Sequence, residues 1–161
     1  MMNWIQFVPT TDAHLIATLN RSIHEHHVAM NPHFFAPYDE ENVREAFEPL
    51  MTKPEHHFEW IHVDDERVGY VWFEEKVSEA NAFRHAVRVV HIRHISIEPR
   101  FKRKGYGRLA VERVEQFAKA HGFESIELDY WNQNEQAALF YEELGFEPKR
   151  QIVTKSIKGE G

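Results

Sequence analysis

The chain has 161 residues, of which 42% are hydrophobic and 28% charged, the balance of a soluble globular protein and, at this length, of one domain over 1–161. Its 19 Lys and Arg against 26 Asp and Glu give a net charge of −7, which argues against general nucleic-acid binding and is compatible with a cationic acceptor such as an amine. The absence of cysteine excludes disulfides, a thiolate zinc site and a Cys nucleophile, and with no apolar run near the roughly 18 residues of a membrane span and no signal-peptide pattern at the start, a cytoplasmic protein that does not enter membranes is expected.

"NWIQFV" reads as an opening strand. Asp12 has the chemistry of an N-cap, and Leu15, Ile16, Leu19, Ile23 and Val28 recur at helical spacing, which predicts a helix over about 12–29. "MNPHFFAPYDEE" breaks it with two prolines, and Val43, Ala46, Phe47 and Leu50 predict a second helix over 40–51. The period then changes. "HFEWIHV" and "RVGYVWFEEKV" have the aromatic and β-branched content of strands, and "AVRVVHIRHISI" is a third strand ended by Pro99. Tyr106, Leu109, Ala110, Val114, Phe117 and Ala118 mark one face of a helix that Gly122 stops. "ESIELDYW" reads as a strand, "NEQAALFYEEL" as a helix, and "FEPKRQIVTKSI" as a closing strand. The order is β-α-α-β-β-β-α-β-α-β, an α/β domain.

Between the third long strand and the following helix lies "RFKRKGYGR", residues 100–108, with five cations and two glycines; without it the chain holds 14 basic against 26 acidic residues. A glycine-containing loop that opens a helix can turn its backbone amides toward an anion, and the helix dipole adds to the attraction. The loop has neither the nucleotide-hydrolase spacing G-x-x-x-x-G-K-[ST] nor a full dinucleotide G-x-G-x-x-G, since position 110 is Ala. A charged turn with no ligand and a phosphate cradle both satisfy this stretch taken alone.

Three stretches in order narrow the choice: "ISIEP" closing a strand, "KRKGYG" opening the next helix, and Asn134, Ala137, Tyr141 and Gly145–Phe146 on the last one. Together they resemble the GNAT superfamily of acyl-CoA N-acyltransferases, specifically from about 90 to 147. The resemblance implies a mixed, mostly antiparallel central sheet flanked by helices, and acetyl-CoA as co-substrate. It places the pyrophosphate at Lys102, Arg103, Lys104, Gly105, Tyr106, Gly107 and Arg108, and the pantetheine arm along backbone groups of Ile95 and Ile97. It makes Asn134 a CoA contact and Tyr141 the general acid for the departing thiolate.

The chain departs from the family pattern in three places. Lys102 stands where Gln or Arg is usual, and Arg103 stands where glycine is common. "IRHI" replaces a strand with a carboxylate base, which makes His94 a candidate base; Glu127, Asp129 or bulk water are the alternatives. "HEHH" at 24–27 lacks metalloprotease spacing and a third ligand, so no metal is expected. In the superfamily the first two helices and their connector wall the acceptor, which here points to His27, Phe34, Phe35 and Tyr38. The implied reaction is attack of an amine on acetyl-CoA in a ternary complex. A small amine is favoured, with a protein Lys or N-terminal amine, or a non-catalytic acyl-CoA-binding module, as alternatives. Many relatives are dimers, which leaves a homodimer open.

Overall fold

Asp12 accepts a hydrogen bond from the Leu15 amide at 3.0 Å and starts helix α1, Ala13–Met30. Asp39 does the same for the Asn42 amide at 2.9 Å and starts α2, Glu40–Met51. These helices belong to a computed structural model that describes residues 4–159. The expected opening strand began at Asn3, which lies outside the described residues; strand β1 runs Ile5–Pro9. Strands β2 (His56–Val63), β3 (Glu66–Ser78) and β4 (Val87–Ile97) follow α2, then a 3-10 turn at Pro99–Phe101, helix α3 (Tyr106–Ala120) and strand β5 (Ile126–Leu128). The chain divides into two compact units, one ending at Asp129 and one starting at Tyr130. The second contains helix α4, Glu135–Glu143.

In the first unit the sheet has the order β1-β2-β3-β4-β5. The first three pairings are antiparallel and β4–β5 is parallel. Side-chain alternation divides the core between its two faces. Phe58, Tyr70 and Trp72 face Ile16, Ala17 and Phe47 of α1 and α2. Val71, Phe73, Val90 and Ile92 face Val114, Phe117 and Ala118 of α3. The mixed sheet between helical layers is the architecture that the sequence implied.

Strand β4 departs from regular pairing in two ways. Trp72 pairs with His94 while Phe73 pairs with Ile92, so Arg93 is the extra residue of a β-bulge. Beyond Ile92, β4 has no β5 partner, because the parallel pairing covers only Val90–Ile92 against Ile126–Leu128. Gly69 lets β3 approach β4 here: a Cβ on it would stand 1.9 Å from the Ser96 carbonyl oxygen.

Two strand readings need correction. β5 occupies three residues of the expected "ESIELDYW". The expected closing strand is not formed: residues 147–157 carry no strand and are exposed. Ile152, Val153 and Ile157 have the propensity, but a strand exists only through pairing, and the described residues of the second unit contain no strand to pair with.

Candidate active site

The end of β4 feeds a loop that its own apolar residues hold in place. Phe101 and Tyr106 are buried in a cluster with Ile61, Val63, Val68 and Ala110. Between these anchors, Lys102, Arg103 and Lys104 are exposed, as is Arg108 just beyond them. Arg103 has φ +65° and Gly105 has φ +87°, both in the left-handed region that favours glycine. The usual glycine at the position of Arg103 therefore has a backbone reason, and this chain fills it with a cation at a conformational cost of about 1 kcal/mol.

Helix α3 opens without a side-chain cap, unlike α1, α2 and α4. Its first backward bond runs from the Leu109 amide to the Gly105 carbonyl at 3.1 Å. The amides of residues 103–108 have no partner among the described residues. A Cβ at Gly105 would meet nothing within 4 Å, so the approach to these amides is open. Nor do Lys102, Arg103, Lys104 and Arg108 have an ion partner among the described residues. Unpaired amides, the positive end of a helix and unneutralised cations form a fitting seat for a pyrophosphate.

The free edge of β4 leads into this seat. The Glu98 amide bonds the Val68 carbonyl at 2.7 Å. Antiparallel alternation then directs the backbone of Ser96 and His94 toward β3, through their pairing with Tyr70 and Trp72. Ile95 and Ile97 fall between those positions, so their N–H and C=O groups face the side where β5 has ended. An extended amide-bearing arm could pair there as an added strand.

His94 lies on the other face, toward α1. Its Nδ1 is 2.8 Å from the hydroxyl of Tyr70, and the Asn20 side-chain amide donates to that hydroxyl, also at 2.8 Å. The ring also packs edge-on against Trp72, 4.9 Å between centroids, and lies 6.4 Å from His27. Burial, then His27, Arg93 and His24, push its pKa down to about 3. This environment disfavours the protonated ring that a base becomes. Of the alternatives, Glu127 is 2.5 Å from His91 Nδ1 and 3.6 Å from Lys76, and Asp129, 93% exposed at its side chain, is 3.8 Å from His91 Nε2.

The expected acceptor wall comes together at the end of α1. His27 stacks on Phe35 at 5.0 Å, and Phe34 packs edge-on against Phe35 at 4.9 Å. His24 bonds the Ala36 carbonyl at 2.6 Å, and Tyr38 donates to the Ala17 carbonyl at 2.5 Å, so both fasten the connector to the helix. Burial lowers the pKa of His27. Asn20 and Tyr70 had no signal in the sequence, since they are 50 residues apart.

In the second unit, Asn134 caps α4 by accepting from the Ala137 amide at 3.1 Å. Tyr141 is half-buried between Tyr130, Phe140 and Phe146, and burial pushes its hydroxyl up to about 12. Among the described residues, no His, Asp and Glu are grouped to hold a metal ion and no helix is long and apolar enough to cross a membrane.

The sequence matches the acetyltransferase (GNAT) family over residues 21–146. The fold is similar to that of a tetramutant of the BH1408 protein from Bacillus halodurans, with TM-score 0.85 and 22% identity, covering 96% of this chain and 99% of that one. It is similar to a candidate acetyl transferase from Pyrococcus furiosus, with TM-score 0.75 and 26% identity, covering 96% and 100%. It is also similar to the aminoglycoside N-acetyltransferase AAC(6')-Iy in complex with CoA, with TM-score 0.70 and 13% identity, covering 99% and 98%. The chain belongs to the GNAT acetyltransferase family and is an acyltransferase.

Proposed function

We propose that the protein acetylates a primary amine of a small molecule by direct attack within a ternary complex with acetyl-CoA. The observation that carries this reading is the uncapped, cationic start of α3. The amides of residues 103–108 and the side chains of Lys102, Arg103, Lys104 and Arg108 bind the pyrophosphate. Ile95 and Ile97 align the pantetheine arm along the free edge of β4. Acetyl-CoA supplies the acetyl group already activated as a thioester. A fold neighbour, AAC(6')-Iy, was determined with CoA and with a bisubstrate analogue of CoA and acetylneamine, which supports an amine acceptor.

Tyr141 is the proton donor to the departing thiolate. Its raised pKa of about 12 keeps it protonated throughout the neutral range. Asn134 contributes at CoA through the side-chain amide that its capping oxygen leaves over. His27, Phe34, Phe35 and Tyr38 contact the acceptor. A small amine is the favoured acceptor, with a protein Lys or N-terminus as the alternative.

The test is a thiol-release assay with acetyl-CoA and a panel of amines on the wild type and Tyr141→Phe. The expected result is turnover of at least one amine, with kcat falling about 10²- to 10⁴-fold in the variant and CoA affinity retained. CoA binding without turnover of any small amine would favour a protein acceptor, and no CoA binding would overturn the reading.

A further inference from the structure

Tyr70 is fully buried, and its hydroxyl has two partners, Asn20 Nδ2 and His94 Nδ1, each at 2.8 Å. Asn20 is also buried, and its amide donates, so it occupies a lone pair of the Tyr70 oxygen and not the Tyr70 proton. That proton then has one acceptor within reach, Nδ1 of His94. A neutral imidazole that accepts at Nδ1 carries its hydrogen on Nε2. His94 is half-buried, and its Nε2 has no partner among the described residues.

The ring's neighbours on the acceptor side are His27, which stacks on Phe35, and Trp72. The charged or titratable groups that face it are His24 and His27 from α1, Tyr70 from β3, and Arg93 from β4, which Glu74 pairs at 2.6 Å. No unpaired carboxylate is among them. At the ring itself an ammonium finds no counter-charge, Glu98 acting on Tyr70 and not on His94, whereas a lone pair would find an N–H.

We infer that His94 is a fixed hydrogen-bond donor on the acceptor side, its tautomer set by the positioning residues Tyr70 and Asn20, and that the acceptor amine is taken up as the free base. The assignment to the acceptor side rests on the proposed function; the tautomer rests on the Asn20–Tyr70–His94 geometry alone. The favoured substrates are amines of low basicity, such as α-amino groups, over polyamines and alkyl amines of ordinary basicity. Low basicity keeps a larger free-base fraction near neutral pH.

Two measurements test this. In protein labelled with 15N-histidine, proton–nitrogen correlation spectra read which ring nitrogen of His94 carries hydrogen, with His94→Gln assigning the signal. Hydrogen on Nε2 throughout the neutral range is expected, and Tyr70→Phe should release the ring into a mixture of tautomers. Hydrogen on Nδ1, or a ring that gains a second proton near neutral pH, would overturn the inference. This readout stands whether or not any amine is turned over, so a failure of the transferase reading is distinguishable from a failure of the tautomer.

The second measurement is kinetic. Gln retains an N–H near the Nε2 position but cannot act as a base. His94→Gln should lower kcat/KM for the acceptor less than His94→Leu does, because it keeps an N–H close to the original one. His94→Leu should raise the acceptor KM about tenfold without changing the KM for acetyl-CoA, since one hydrogen bond is involved. A kcat loss in His94→Gln as deep as in His94→Leu, with both variants folded by thermal melt, would restore the role of base and overturn the inference.

Discussion

Arg113 meets Glu59 through two hydrogen bonds of 2.9 and 2.8 Å, whereas Arg108, five residues earlier on α3, has no ion partner among the described residues. Glu59 is buried at 4% exposure, so the Arg113 pair joins the helix to the sheet and its charge is neutralised inside the chain. The charge of Arg108, like that of Lys102, Arg103 and Lys104, is exposed and has no such neutralising partner. The helix starts show the same division: Asp12, Asp39 and Asn134 close the first turns of α1, α2 and α4, and no side chain closes α3. A charge or an amide satisfied within the chain serves the fold. One left open at a rigid, well-anchored position is available to a ligand.

Arg113→Ala tests the structural side of that division and should have the largest effect. It strands the Glu59 carboxylate in the core, and stability should fall by about 3 kcal/mol in urea titrations. CoA affinity, measured at a temperature where the variant is folded, should be unchanged. Gly105→Asp tests the other side. Asp tolerates positive φ better than most residues, and a Cβ there meets no neighbour, so the fold should lose about 1 kcal/mol. The carboxylate would stand at the mouth of the open amides, and CoA should bind about 100-fold more weakly by calorimetry, the equivalent of one or two charge-assisted hydrogen bonds.

Much of this division was legible in the sequence because its signals are local. Asp12 and Asp39 precede periodic apolar runs, and the bounds of α2 follow from Val43, Phe47 and Leu50. The basic stretch between β4 and α3 stands out in composition alone. What was not legible depends on distant residues. The bulge at Arg93 arises from the register between β3 and β4. Tyr70 reaches His94 across 24 positions, and the surroundings of His94 come from α1 and β3 together. The closing strand failed for the converse reason: its propensity is local, but a strand needs a partner that propensity cannot supply.

Asp12→Ala is the matched control for Gly105→Asp. It opens the start of α1 as that of α3 is open, but in a place without cations. Stability should fall by about 1 kcal/mol, and CoA affinity should not change. New anion binding at α1, detected by titration with inorganic pyrophosphate, would show that open amides suffice without the basic side chains. No such binding is expected.

The smallest effect concerns the acid at the approach to the basic segment. Glu98 sits at the end of β4, where burial raises its carboxyl pKa and Arg100 and Lys102 pull it down, with burial dominant. Because its folded pKa is raised, its stabilising contribution is complete below the unfolded value and is lost as pH rises through the folded one. Above that pH the ionised carboxylate opposes both the fold and a neighbouring phosphate. Glu98→Gln should tighten CoA binding two- to threefold at pH values where the carboxyl is ionised, about half a kcal/mol, as suits a partly exposed charge. As pH falls through the raised pKa, the wild-type carboxyl becomes neutral and the two proteins should converge. Equal affinity at all pH values would mean that Glu98 does not act on the α3 site, and that its neighbouring cations have already cancelled its charge.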